Sequence, residues 1–150
     1  MSVIKSKREE SVVEFVNTAR ELNIFSIRQC TKFPKRYTFY ISQKIADLAD
    51  SIYESVVKAN SINPRNQHEA QIRRDYIMIA YAGCESLVAK IAVAQEMFGV
   101  EERIMVEWMR LIGYEQRLLN GVKKRDAEKY KKLPDTNSPS IKEVDESDCH

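Results

Sequence analysis

A seven-residue repeat of apolar side chains runs through the middle of the sequence and constrains the fold class. Its members recur at spacings of three or four residues: Ile77, Ala80, Cys84, Leu87, Ile91, Ala94 and Phe98. Side chains at these spacings share one face of an α-helix, and a face that persists for several turns packs lengthwise against neighbouring helices. The repeat therefore predicts a long helix at the centre of a helical bundle.

The composition favours an all-α protein of one domain. The chain has 150 residues, of which only four are glycine and four are proline, while 31% are charged. A β-sandwich needs frequent turn residues, whereas long amphipathic helices need few. A chain of this length buries roughly two-thirds of its surface on folding, which is enough for a core of its own.

Four apolar patterns predict helices over residues of about 9–30, 34–61, 66–98 and 101–132. In the first pattern, Asn23 and the β-branched Ile24 leave open whether the helix is continuous or broken. Pro34 is placed to begin the second helix, because proline suits a first helical turn and disfavours helical geometry in the residue before it.

Capping residues delimit the third helix. Asn66 and Glu69 have the spacing of a capping box, and Gly99 is placed to end the helix with a positive φ angle. The short connections predict an antiparallel up-down four-helix bundle over residues 1–134.

The net charge of +2 combines a basic body with an acidic tail. Residues 1–134 contain 23 Lys and Arg against 17 Asp and Glu, a net +6, whereas residues 135–150 contain Lys142 against five acids, a net −4. The tail is also poor in large apolar side chains, so we expect it to be disordered. The basic body suggests a polyanionic partner, although many soluble proteins of similar charge bind none.

The sequence lacks the residues that three kinds of catalytic or metal site require. A di-metal bundle site needs a Glu-x-x-His pair, and no such pair occurs. Helical-bundle ribonucleases use an arginine and a histidine four to six residues apart, but Arg65 precedes His68 by only three. Cys84 lies within the apolar repeat without a neighbouring histidine, which favours a buried inert thiol over a nucleophile. We therefore expect no catalytic site, metal or cofactor.

Two basic clusters remain as candidate phosphate-binding sites, one at each end of the predicted bundle. The first cluster follows helix one and contains Lys32, Lys35 and Arg36. The second joins the end of helix four to the start of helix three and contains Lys123, Lys124, Arg125, Lys129, Lys131, Lys132, Arg73 and Arg74. Such clusters bind nucleic-acid backbones in a salt-sensitive manner. Cations also stabilise a helix C-terminus through its dipole, so the sequence leaves open which end binds, and whether either does.

Three motifs resemble a known family. They are Cys30-Thr31-Lys32-Phe33-Pro34-Lys35 at the first helix junction, the stretch Ile77–Gly83, and the close of the third helix over Leu87–Gly99. Over about residues 10–125 the sequence is similar to the four-helix bundle family of 23S rRNA intervening-sequence proteins and the accessory variability determinants of diversity-generating retroelements. The second helix lacks the Asn-Ile-Ala-Glu-Gly ending typical of the intervening-sequence branch, which favours the retroelement branch.

The resemblance implies a non-enzymatic protein that forms a homopentamer and binds both nucleic acid and the reverse transcriptase of its element. Such a protein supports mutagenic cDNA synthesis from template RNA. The alternative is a protein-interaction bundle without a role in nucleic-acid binding. The N-terminus has no apolar stretch of signal-peptide length and no run of eighteen apolar residues occurs, so we expect a cytoplasmic protein without a membrane partner.

Overall fold

The computed structural model describes residues 2–135, with side chains from residue 13 onward. It is an all-α four-helix bundle, as the composition and the apolar patterns predicted. Its helices are α1 (Ser2–Cys30), α2 (Gln43–Ser61), α3 (Gln67–Phe98) and α4 (Glu102–Lys129). A 3₁₀ turn at Lys35–Tyr37 and a π-helical turn at Thr38–Ser42 connect α1 to α2. The predicted disordered tail lies, except for its first residue, outside the described residues.

The four helices pack in a closed order, in which α1 and α3 each contact both α2 and α4. Trp108 near the start of α4 donates a hydrogen bond from Nε1 to Ser26 Oγ near the end of α1, at 2.9 Å. Further along α4, the hydroxyl of Tyr114 donates to the carboxylate of Glu14. The end of α1 thus contacts the start of α4, and an earlier part of α1 contacts a later part of α4. An up-down order of helices predicts contacts of this kind.

The apolar repeat of α3 forms the centre of the core, as its spacing predicted. Its six members from Ile77 to Ala94 are at most 1% exposed, and Phe98 is half-buried. α2 contributes a matching stripe that includes Ile45, Ile52 and Val56. The largest buried side chain is Trp108 of α4, whose indole ring lies 5.8 Å from Phe25 in an edge-to-face arrangement. Apolar burial of this extent is the main source of the stability of the bundle.

The two predicted caps of α3 are present. Asn66 has extended backbone angles, and its side chain accepts a hydrogen bond from the backbone N–H of Glu69 at 2.8 Å. Gly99 has a φ angle of 77°, which other residues adopt only with strain, and its N–H donates to the carbonyl of Gln95. Both ends of the central helix are thus fixed by residues of the predicted types.

Several predicted boundaries were wrong. α1 begins at Ser2 rather than near residue 9. It is continuous through Asn23, a point that the sequence left open. Pro34 does not begin α2, because its ψ angle of 129° is extended and the next eight residues form the 3₁₀ and π-helical turns. α4 ends at Lys129 rather than near residue 132, because side-chain and backbone groups of Gln67 bind the carbonyls that follow.

Among the described residues, α3 is the helix whose length and composition would allow it to cross a membrane. Its most apolar 18-residue window has a mean hydropathy of 1.6, and 33% of that window is buried inside the bundle. The central helix of a helical bundle meets the same criteria of length and hydropathy. These criteria therefore do not separate a membrane-spanning helix from a core helix. It does show that α3 carries apolar side chains on more than its core face.

Candidate nucleic-acid interface

A cationic groove lies where the first turns of α3 meet the last turns of α4. It has a volume of about 170 Å³, and its positive side chains are Arg74 from α3 with Lys123 and Lys131 from the α4 end. The Tyr130 ring forms part of the wall. The structure thus brings together residues that are more than forty positions apart in sequence, as the predicted bundle order required.

Gln67 fixes the chain that follows α4. Its Nε2 lies within hydrogen-bond distance of three carbonyl oxygens, at 2.8 Å for Tyr130, 3.4 Å for Lys131 and 3.0 Å for Leu133. Its backbone N–H donates to the carbonyl of Pro134 at 2.8 Å. One residue of a neighbouring helix thus binds four carbonyls of the segment that follows α4. The lysines at the end of α4 are therefore presented from an ordered turn.

Arg73 was wrongly placed in the predicted binding set. It is only 8% exposed, and its guanidinium pairs with Asp126, Nε to Oδ2 at 2.7 Å and Nη2 to Oδ1 at 3.3 Å. Its Nη1 donates to the carbonyls of Ala59 and Ile62 at the end of α2. Because its donors bind groups of α4 and the end of α2, Arg73 links three helices beneath the groove rather than facing a ligand. The pairing also neutralises Asp126, the acidic residue in the groove wall.

The other members of this cluster face solvent. Arg74, Lys124, Arg125, Lys129, Lys131 and Lys132 are exposed, and Lys123 is half-buried. None of them forms an ion pair with another described residue. The Lys129 ammonium lies 5.5 Å from the centre of the Tyr130 ring, a cation–π distance. Seven cationic groups thus lie at this end of the bundle, three of them in the groove, and none forms an ion pair with a described acidic residue.

The second predicted cluster lies at the opposite end of the bundle. Lys32, Lys35 and Arg36 are all exposed. Phe33, between them, packs against Phe98 at the end of α3, with ring centres 4.9 Å apart. The 32 residues of α3 separate the two ends by roughly 48 Å at about 1.5 Å per residue. One chain therefore presents two separate basic sites.

Two exposed aromatic residues beside this second cluster were missed by the sequence-based analysis. Phe39 is 74% exposed and Tyr40 is 66% exposed. A signal was available, because neighbours on a helix point about 100° apart and Ile41 already belongs to the core stripe. The π-helical turn, which nothing in the sequence indicates, then places both rings outside.

The two cysteines of the described residues are poorly suited to nucleophilic chemistry. Burial is the main cause that raises the pKa of Cys84 to about 12 and that of Cys30 to about 11. Since the thiolate is the reactive form, both thiols stay protonated at neutral pH. No group of three His, Cys, Asp or Glu side chains suited to a metal ion occurs between residues 13 and 135.

Compared with known proteins, the chain matches no family model, no curated protein and no solved structure. Functional conclusions therefore depend on the geometry of these side chains and on the resemblance of the sequence motifs.

Proposed function

We propose that this chain is a non-enzymatic, cytoplasmic accessory protein of a diversity-generating retroelement. In this role it binds template RNA or cDNA together with the reverse transcriptase of the element. The observation that carries nucleic-acid binding is the cationic groove, where Arg74, Lys123 and Lys131 converge from two elements without an ion-pair partner among the described residues. The retroelement and its reverse transcriptase come from the motif resemblance.

The distribution of cations in and beyond the groove favours a repeating polyanion over a single small anion. The groove cations come from α3 and α4, and the brace formed by Arg73 and Asp126 holds these two helices at a fixed separation. Further cations line the continuing α4 surface, as a repeating polyanion requires and a single small anion does not. Binding of this kind follows the nucleic-acid backbone and weakens steeply with salt.

We further propose that the chain assembles into a homopentamer in which the outer face of α3 forms one side of each head-to-tail subunit contact. Five residues at heptad spacing form an outer stripe on this helix, all of them exposed: Ile79, Ala82, Ser86, Ala89 and Val93. A shallow groove between α2 and α3 runs beside this stripe and includes Leu48. A second apolar face of a helix is typical of a subunit contact. Assembly would multiply the cationic grooves on one particle.

The nucleic-acid proposal is tested by reversing charge at the groove. We expect the triple variant Arg74→Glu, Lys123→Glu, Lys131→Glu, which reverses the three cations that line the groove, to bind single-stranded RNA at least about tenfold more weakly, because repulsion replaces attraction to the phosphates. The slope of log affinity against log salt should also become shallower. The expected change for each phosphate that is no longer neutralised is about 0.9 on a duplex and about 0.7 on a single strand. Fluorescence anisotropy across a salt series measures both quantities, and circular dichroism checks that helicity is unchanged.

A matched control carries the same change of charge elsewhere. Arg20, Arg28 and Arg117 are exposed and do not line the groove, so their reversal to glutamate should weaken binding much less. Equal losses in the two triple variants would contradict a specific site at the groove. Undiminished binding in the groove variant would contradict it as well. Co-purification with a reverse transcriptase encoded beside the gene tests the second partner.

The alternative is a bundle that interacts only with proteins, and the outer stripe of α3 is the observation that favours it. On this alternative the cations form only a solvated surface. Wild-type protein would then show no salt-dependent binding to RNA or DNA. The same salt series therefore decides between the two functions.

A further inference from the structure

Phe39 and Tyr40 form an exposed aromatic pair on the π-helical turn before α2. Their ring centres are 5.7 Å apart and their planes are nearly perpendicular, at 89°. Both rings are more exposed than any other large apolar side chain described, since Val106 follows at 63%. Such exposure adds nothing to the core, and π-helical turns are frequent at functional sites.

The pair stands on an ordered support. On one side, the Tyr37 ring stacks on Phe98 with centres 5.3 Å apart and planes at 21°, and Phe33 packs against the same ring. On the other side, Ile41 is only 4% exposed and anchors the chain in the core. The backbone is therefore fixed both before and after the two rings. A ligand that stacks on them therefore binds with little loss of conformational entropy in the turn.

The charges around the pair are mainly positive. Lys32, Lys35 and Arg36 precede it, Lys44 follows it, and all four are exposed without an ion pair to another described residue. The guanidinium of Arg36 lies 5.7 Å from the centre of the Tyr37 ring.

Acidic groups also lie at this end of the bundle, but none is next to the pair in sequence. Glu101 pairs with Arg103 at 3.6 Å, Glu96 and Glu102 are exposed near the junction of α3 and α4, and Asp47 lies about two turns beyond the pair on α2. The aromatic rings are therefore surrounded by cations on both sides of the sequence.

Exposed rings among unpaired cations match the chemistry of a single-stranded nucleic acid. Its phosphates bind the cations, and its unstacked bases stack on the aromatic faces. A duplex offers no unstacked bases. The core of a protein-protein interface is instead depleted of lysine around its aromatic residues. Membrane-surface binding uses a longer amphipathic helix than this five-residue turn.

We propose that Phe39 and Tyr40, with Lys32, Lys35 and Arg36, form a base-stacking site for single-stranded RNA or DNA. This inference rests on the proposed function, since it adds a second site to a nucleic-acid-binding protein. The cationic groove at the far end of the bundle contacts phosphates of single strands and duplexes alike. The aromatic pair gives the protein its preference for single strands.

The test replaces both rings by leucine, which keeps apolar surface but removes the aromatic faces. The variant Phe39→Leu, Tyr40→Leu should bind a fluorescent oligothymidine at least about tenfold more weakly, because alanine substitution at such sites costs about 5- to 150-fold per stacked base. Its affinity for duplex DNA and its salt slope should stay unchanged, since every cation that binds phosphate is retained. Val106→Ala, at another strongly exposed apolar side chain, should leave both affinities unchanged.

A second variant reports stacking directly. Phe39→Trp should keep single-strand affinity, and bases that stack on the new indole should quench its emission. The native Trp108 is 0% exposed and gives a constant background. Absence of quenching on binding would overturn the proposal.

Other outcomes distinguish failure of the stacking site from failure of the proposed nucleic-acid-binding function. Wild-type single-strand affinity in the double-leucine variant overturns the stacking site alone, provided that the charge-reversed groove variant loses binding. A change of particle mass in the double-leucine variant, measured by light scattering, would show that the pair is a subunit contact and would also overturn it. If wild-type protein binds no nucleic acid, the proposed function and this inference fail together.

Discussion

At position 115 of α4, a glutamate occupies a core position where the helical repeat favours an apolar side chain. Glu115 is 0% exposed, and neither of its carboxyl oxygens has a hydrogen-bond partner among the described residues. Burial disfavours the charged form and raises the pKa of Glu115 to about 9. The carboxyl is therefore protonated in the folded protein at neutral pH.

Replacement of Glu115 by glutamine is expected to flatten the dependence of stability on pH. An ordinary glutamate in the unfolded chain has a pKa of about 4.3, whereas the folded value is about 9. Between these values the folded state holds a proton that the unfolded state has released, so stability falls as the pH rises. The slope is about 1 kcal/mol per pH unit. Urea titrations of both proteins between about pH 5 and pH 8 measure it.

The nearby thiol does not complicate this measurement. The pKa of Cys84 is about 12, so Cys84 keeps its proton throughout the window. The glutamine variant, which has no proton to exchange, should gain stability relative to wild type as the pH rises. Parallel pH profiles for the two proteins would contradict a buried protonated carboxyl.

Individual residues show what a single sequence can and cannot reveal. The α3 repeat was predictable because apolar spacing alone determines which face of a helix is buried. Glu115 and Arg73 were not, because charged side chains interrupt an apolar pattern. Whether such a residue is buried depends on a partner, or the lack of one, elsewhere in the chain. Asp126, the partner of Arg73, lies 53 residues away.

At the scale of the helices, Gly83 lets α3 approach α2 closely. A Cβ atom built at Gly83 would lie 2.8 Å from Cγ1 of Ile52, closer than real Cβ contacts allow. Ile52 is itself 1% exposed, so its side chain has little room to move. The helix that approaches α3 closely at this point is α2.

Gly83→Ala is therefore expected to destabilise the bundle, although alanine favours a helix by about 1 kcal/mol over glycine. Overpacking of a filled core costs about 1–3 kcal/mol, which exceeds this gain. Gly113→Ala is the matched control, because a Cβ at Gly113 in α4 meets no atom within 4 Å. That control should gain stability. Thermal unfolding of the two variants measures the difference, and a stabilised Gly83→Ala protein would contradict the close approach.

The helix ends were harder to predict than the helix faces. Asn66 and Gly99 mark the ends of α3 through local chemistry, so the sequence reveals them. The end of α4 depends instead on Gln67, a residue of another helix, and the start of α2 depends on how Phe33 and Tyr37 pack on Phe98. The groove was predictable as a meeting of two basic segments, because helix order alone places them together. The exposure of both aromatic rings depends on the π-helical turn, which the sequence does not indicate.

At the scale of the whole molecule, the two basic clusters and the outer stripe of α3 lie on different parts of the bundle. The clusters lie at its two ends, whereas the stripe covers the middle of α3. A net +6 over residues 1–134 is a modest charge for holding a polyanion. Assembly along the stripe would repeat each basic end without covering it, so that several grooves act on one strand. Linked sites of this kind raise overall affinity by about 10²–10⁴ without any new contact.

The double variant Ile79→Glu, Val93→Glu is expected to remain helical but to lose the oligomer, since both side chains are about half-exposed in one chain, at 53% and 43%, and would be covered only by a second copy. Light scattering should give a wild-type mass near five chains of 17.4 kDa and a variant mass near one. RNA affinity should then fall about tenfold or more, because a single groove loses the gain from repetition. The control Val106→Glu places the same charge on an exposed valine outside the stripe and should change neither quantity. A monomeric wild type would contradict the assembly, and a monomeric variant with full RNA affinity would show that one chain binds without help from its copies.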